Sequence, residues 1–404
     1  FHTSQLRDFN FWYFLIGTIG VVYVVMSWQG TQGYNASAKS AHEAKMAGVL
    51  SNWRGLPHIM FMHIVPIVAY TVLHHPDFGA ESAQVAGLLA TAESETIANQ
   101  LRVPAVLSLL LPTGLLGAFA AVMLTAFIST HDTYLHSWGS IFIQDVVMPF
   151  RKAPFTPEAH MRALRLSIFG VALFIFLFSL LFRQSQYIFL FFAITGAIFA
   201  GGSGAVLIGG LYWNRGTTPA AWAAMLTGST IAVSGIVIHQ LVDDFPINGQ
   251  VFWGIAMAAS TVVYVSVSLL GPGRRFDLEG LLARGAEAGD PDPSETDGPP
   301  RRGWRALGLG REASRSDRII YMVTYAWIGL WTLVFALGTI WNLTHDVPDA
   351  DWERFWRFYV VVELAAAAFV VVWFTIGGVR DIRHMLKRLA VARRDATDDG
   401  WVHD

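Results

Sequence analysis

Cysteine is absent from the 404 residues, and charge is scarce. The first absence excludes disulfides and thiolate metal sites. The second sets the class. Asp, Glu, Lys and Arg make up 14% of the chain, against about 25% in soluble domains. The formal balance of -2 says nothing about partners, because the charges gather in loops. An initiating Met and a signal-peptide pattern are also lacking. The chain begins at Phe1 with a span close behind, and is read as missing an N-terminal part. What is abundant is apolar: 53% of residues are hydrophobic and 13% aromatic. Their long runs recur along the whole chain, the pattern of an all-α polytopic membrane protein.

About nine spans follow from the rule that some 20 apolar residues cross a bilayer as a helix. They are expected roughly over 9–28, 55–74, 114–142, 163–182, 187–212, 219–241, 249–270, 319–343 and 354–378. The runs are too long and too uniformly apolar for barrel strands, so helices are the spanning form. Residues 36–49 read as a short interfacial helix, and 271–318 as a cytoplasmic linker rich in Gly, Pro and charge.

The loops orient the chain. Lys39, Lys45 and Arg54 lie between spans one and two, and Arg151, Lys152 and Arg162 between three and four. Arg215 follows span five, an Arg-rich stretch from Arg274 to Arg305 follows span seven, and Arg380, Arg383, Lys387 and Arg388 follow span nine. The alternate loops carry Asp77, Glu81, Glu93 and Glu95, then Asp243 and Asp244, then Asp346, Asp349 and Asp351. Basic loops face inward, so the C-terminus is expected in the cytoplasm and the chain in the plasma membrane as a multi-pass protein.

The third span breaks the apolar rule. On a helix at 100° per residue, Ala126, Ser129, Thr130, Thr133, His136, Ser137 and Ser140 share a face about 120° wide, with Asp132 at its edge. A polar stripe on a spanning helix faces protein or a water-filled path, not lipid. One reading is a site for a hard cation such as sodium, with hydroxyls at Ser129 and Thr130 and the Ala126 carbonyl one turn earlier. The other is hydrogen-bonded glue between helices. Asp132 favours function, because an intramembrane carboxylate is functional by default. His58 and His63, or His131 and His136, are five apart, which does not give the i, i+4 register of a helical metal pair. Gly196, Gly201, Gly202, Gly204, Gly209 and Gly210 in span five read as close-packing positions, with a hinge for alternating access as the alternative.

The stretch "GLLGAFAAVMLTAFISTHDTYLHSWGSIFIQDVV" resembles the sodium-binding helix of the sodium:solute symporters. The resemblance rests on Gly114-Leu115-x-Gly117, Ala126-x-x-Ser129-Thr130 and Asp145. "GGLYWNRGTTPAAWAAMLTG" and "QGYNASAKSAHEAKMAG" are similar to two further family segments, and the three together span about residues 20–230. The resemblance implies a fold of two inverted five-helix repeats with sites at their interface. It implies that residues 1–214 are the second repeat, 215–270 two peripheral spans, 319–378 two C-terminal spans and 379–404 a cytoplasmic tail. It also implies sodium ligands at Ala126, Ser129 and Thr130, with a further site mapping to Asp132 and Thr133. A carboxylate at 132 departs from the family pattern; extra sodium, proton coupling and a substrate cation all stay open there.

In the family the first span is broken and lines the substrate cavity. Gly17 and Gly20 suit a break, since each weakens a helix by about 1 kcal/mol relative to Ala. Tyr23, Ser27, Trp28 and Gln29 are the candidate substrate contacts. Val24 and Val25 stand where the family's sugar transporters carry an aromatic gate. The competing reading is interfacial anchoring by Trp and Gln at a helix end. The expected function is sodium-coupled symport of a small polar solute (a sugar, amino acid or carboxylate), with Na+ as coupling ion, no organic cofactor, no nucleic-acid partner and no enzymatic activity. The alternatives are a transporter-like sensor domain and a proton-coupled transporter.

Overall fold

A computed structural model describes residues 8–24, 38–182, 186–242, 245–271 and 313–391, with Leu6, Ser27 and Leu278. Trp28, Gln29, Asp243, Asp244, most of the expected linker and the tail from residue 392 lie outside the described residues. Every regular element among the described residues is helical: α1 Phe11–Val24, α2 Ala41–His74, α3 Gly79–Leu89, α4 Glu95–Leu110, α5 Thr113–Ile141, α6 Pro157–Leu181, α7 Ile188–Tyr212, α8 Thr218–Leu241, α9 Gly249–Leu270, α10 Arg315–Thr344 and α11 Asp349–Val391. Eight of these are long and apolar enough to cross a membrane, and α1 is a shorter apolar helix. The chain is an all-helical polytopic membrane protein.

Small polar side chains start most of the helices. Ser40 accepts from the Glu43 N–H at α2, Ser94 from Ile97 at α4, and Asn248 from Val251 at α9. Thr156 and Thr217 do the same for α6 and α8, each followed by a proline in the first turn. Ser314 and Asp317 exchange hydrogen bonds as a capping box at α10. Each cap satisfies N–H groups that the helix itself leaves unpaired.

Two regions differ from expectation. The interfacial helix expected at 36–49 and the span at 55–74 form one 34-residue helix, α2, with Pro57 and Pro66 inside it. A proline removes one i to i−4 bond and kinks a helix, but the turns around it continue. Residues 79–110, expected as loop, form α3 and α4 of 11 and 16 residues. Both fall below the length that marks a span, and the capping Ser94 is the local signal for the second.

The best-buried region is α7 against α8 and α9. Gly201, Gly202, Ser203, Gly204 and Ala205 on α7 and the row Ala220, Ala224, Gly228, Ala232 and Gly235 on α8 are buried. A Cβ on Gly202 would lie 2.7 Å from the Ala224 carbonyl oxygen, and one on Gly228 2.6 Å from the Gly202 nitrogen. These backbones touch, so a side chain at either position would push the helices apart. The Ser260 hydroxyl on α9 donates to the Ala224 carbonyl at 3.0 Å. Helix α1 lies on α9 and α7, α5 packs on α6, and α2 gathers α3, α4, α10 and α11.

Candidate functional site

Helix α5 runs unbroken from Thr113 to Ile141, then loosens through a wide turn over Phe142–Val147. Its contact with α6 is at the far end. There a Cβ on Gly139 would lie 2.6 Å from Ile168, and the Ser167 hydroxyl donates to the Gly139 carbonyl at 3.0 Å. The polar stripe begins before that contact. Ala126, Ser129, Thr130 and Asp132 are exposed and Thr133 is half-buried. No described helix covers the stripe at Ala126, Ser129 and Thr130.

The hydroxyls of this helix behave in two ways. Thr125 donates to the Ala121 carbonyl at 2.8 Å and Thr133 to the Ser129 carbonyl at 3.0 Å. That back-bonding is the ordinary fate of a helical threonine. Ser129 and Thr130 do not do it. Among the described residues their hydroxyls have no hydrogen-bond partner, and neither does the Asp132 carboxylate. Thr133, by contrast, is engaged. His131 turns its Nδ1 to the Phe127 carbonyl at 2.9 Å and stacks on the Phe127 ring, away from the stripe. Ser129, Thr130 and the Ala126 carbonyl therefore offer three oxygens along one edge of α5, with Asp132 one turn further. Hard cations take oxygens of this kind.

The candidate substrate residues lie elsewhere. Tyr23 packs on α7, where its hydroxyl donates to the Gly201 carbonyl at 2.9 Å, beside Ala205 and Val206. The Ser27 side chain is 2% exposed and donates to the Val24 carbonyl at 3.0 Å. Trp28 and Gln29 fall outside the described residues. The structure thus sets Tyr23 at the C-terminal end of α1, against the glycine-rich part of α7, with Ser27 just beyond that end. Contacts that bring them onto the Ser129 stripe are not present among the described residues.

A polar clasp between α1 and α9 was not legible in the sequence. Gln250 is 4% exposed, and its amide donates to the Tyr13 carbonyl at 3.2 Å. Asn248 donates to the Asp8 carboxylate at 3.2 Å. The available signal was a buried-type amide two residues into an apolar span, "INGQVF". Among the described residues no three His, Asp or Glu side chains gather as a metal-binding group.

Neither the curated proteins nor the solved structures return a match. A profile of the sodium:solute symporter family matches residues 9–228, more than half of the chain. The matched stretch runs from α1 into α8 and takes in the whole of α5 with its unbonded hydroxyl pair. The chain belongs to the sodium:solute symporter family.

Proposed function

We propose that this chain forms the ion-binding part of a sodium-coupled transporter that imports a small polar solute across the plasma membrane, its C-terminus cytoplasmic. Ala126, Ser129 and Thr130 supply sodium oxygens, Asp132 and Thr133 extend the site, and Tyr23, Ser27, Trp28 and Gln29 face the solute. The observation that carries this reading is the pair of hydroxyls at Ser129 and Thr130, left unbonded on a helix whose Thr125 and Thr133 bond back to it. Hydroxyls serving only as helix glue would be bonded to a neighbour. These two point to a face that no described helix covers.

That face also bounds the proposal. Hard cations hold about six or more oxygens, and one edge of α5 offers three. The remaining ligands come from elements beyond those that pack on α5 here, as the family's first repeat would supply. The driving force is adequate. One sodium ion crossing about 100 mV with a roughly tenfold gradient releases about 2.3 plus 1.4 kcal/mol, enough to concentrate a neutral solute several hundredfold.

The test is uptake of labelled sugars, amino acids and carboxylates by vesicles carrying the transporter that contains this chain. One solute class should accumulate under an inward sodium gradient and stop when the gradient is collapsed. Accumulation indifferent to sodium would overturn the proposal. Asp132 supports a second reading, proton coupling, because it places a carboxylate within a turn of the hydroxyl pair. Protons and sodium compete for a carboxylate, so acidification should weaken apparent sodium affinity. Asp132→Asn should keep the shape and abolish that competition. A wild-type response of the Asn variant in paired sodium and pH titrations would remove Asp132 from the site.

A further inference from the structure

Helices α2, α10 and α11 enclose an apolar groove of about 300 Å³ lined by Trp53, Ile319, Ile320, Val323, Phe369 and Trp373. Trp53 is fixed there by its indole N–H, which donates to the Thr324 hydroxyl at 2.6 Å. The groove lies near one membrane face, because it starts within two turns of the α10 capping box. At the same end α2 begins, with His42 Nε2 and the Asp317 carboxylate 3.2 Å apart.

The composition changes abruptly beyond the groove. One residue before Ile319 stands Arg318, whose Nε is buried with no partner among the described residues. Along α11, the positions after Phe369 and Trp373 continue into Ile376, Val379, Arg380, Arg383, His384 and Lys387. With Thr375 these residues form one exposed flank of α11. Among the described residues, Asp317 is taken by its cap and His42, and Asp381 pairs with Arg380 at 3.2 Å. On α11 the groove positions Phe369 and Trp373 are thus followed on the same helix face, toward the same membrane face, by Arg380, Arg383 and Lys387.

Charge selects the occupant: the groove is lined by apolar side chains alone, and the residues that follow it on α11 are basic. A phosphate diester accepts charge-assisted hydrogen bonds from guanidinium groups, and basic clusters at a membrane face attract anionic lipids. We propose that α2, α10 and α11 form a binding site for an anionic phospholipid of the surrounding bilayer, an acyl chain in the groove and its phosphate among Arg318, Arg380 and Arg383. This site is separate from α5 and does not depend on the sodium reading.

The two groove tryptophans make the site visible. The full chain is reconstituted in phosphatidylcholine vesicles containing equal fractions of phosphatidylglycerol or phosphatidylcholine with brominated chains, which quench a tryptophan they touch. The signal is the fluorescence of the unmutated chain minus that of Trp373→Phe. Brominated phosphatidylglycerol should quench Trp373 at least twofold more effectively than brominated phosphatidylcholine. Arg380→Gln combined with Arg383→Gln should bring the two lipids level, with helix content unchanged by circular dichroism. Equal quenching of the Trp373 difference signal by both headgroups would overturn the proposal. A headgroup preference that survives the double substitution would place the anionic lipid elsewhere. Protection of Trp373 from both lipids would mean that protein, such as a second copy, fills the groove instead.

Discussion

Ser129 and Thr130 differ from the other hydroxyls of α5 in what their oxygens do. Thr125 and Thr133 are spent on their own helix; the pair between them has no partner among the described residues and can take a ligand. Ser129→Ala and Thr130→Ala each remove one oxygen and little volume. Each should raise the sodium concentration for half-maximal uptake, at unchanged amounts of inserted protein; unchanged sodium dependence would return both residues to helix packing. The spacing of this pair was legible in the sequence, because helical geometry alone puts them on one face. Their freedom from back-bonding was not, since a serine or threonine in a helix can adopt either state. Glu363 poses the opposite case. It is 2% exposed in α11, and its Oε2 has no partner among the described residues. A buried oxygen left unpaired costs about 1–3 kcal/mol. Glu363→Met, close to it in length, should therefore stabilise the protein by about that amount. A lowered unfolding temperature in the Met variant would show that Glu363 finds a partner in the native membrane.

Element by element, the glycines of α7 separate two roles that composition merges. All six were expected at close-packed positions. Gly201, Gly202, Gly204 and Gly209 meet that expectation, while a Cβ on Gly196 or Gly210 would touch nothing within 4 Å. The substitutions should then have opposite signs. Gly202→Ala forces its methyl onto the Ala224–Met225 backbone of α8, and overpacking of this kind costs about 1–3 kcal/mol. Gly196→Ala meets open space and gains about 1 kcal/mol of helix propensity. Thermal unfolding in one detergent would compare them directly; equal shifts would mean that α7 and α8 do not touch at Gly202. The same scale explains which helices were missed. The spans were legible because a bilayer demands about 20 apolar residues. Helices α3 and α4 answer to no such demand. They are built from mixed sequence such as "ESAQVAGLL" and "ETIANQLRV", and their apolar side bears on α2 through Val85 and Val106 against Ala69 and Val72. That partnership is tertiary, so a scan for apolar runs passes over it.

For the molecule as a whole, the order of spans was readable and their partners were not. In a soluble protein the apolar stripe of a helix shows which side is packed. In a bilayer the lipid-facing side is as apolar as the packed one, so apolarity does not separate α6 from α7, although α7 is far better buried; only its glycines marked α7 for close packing. The consequence for function lies at α5. Its main contacts are with α6 and the turn that follows it, and among the described residues nothing covers the face bearing Ala126, Ser129 and Thr130. Coupled transport needs the ion held between elements that move against each other, so that ion binding biases one arrangement over the other. An ion resting on one helix edge, short of about half its oxygens, has no such grip. The 404-residue chain reconstituted alone should therefore show no sodium-driven accumulation of labelled sugars, amino acids or carboxylates, even though it inserts with normal helix content. Addition of the family's first repeat as a separate polypeptide should restore accumulation if that repeat covers the face. Sodium-driven uptake by the chain alone would defeat this expectation, and would mean that another copy of the chain closes over Ser129 and Thr130 in the membrane.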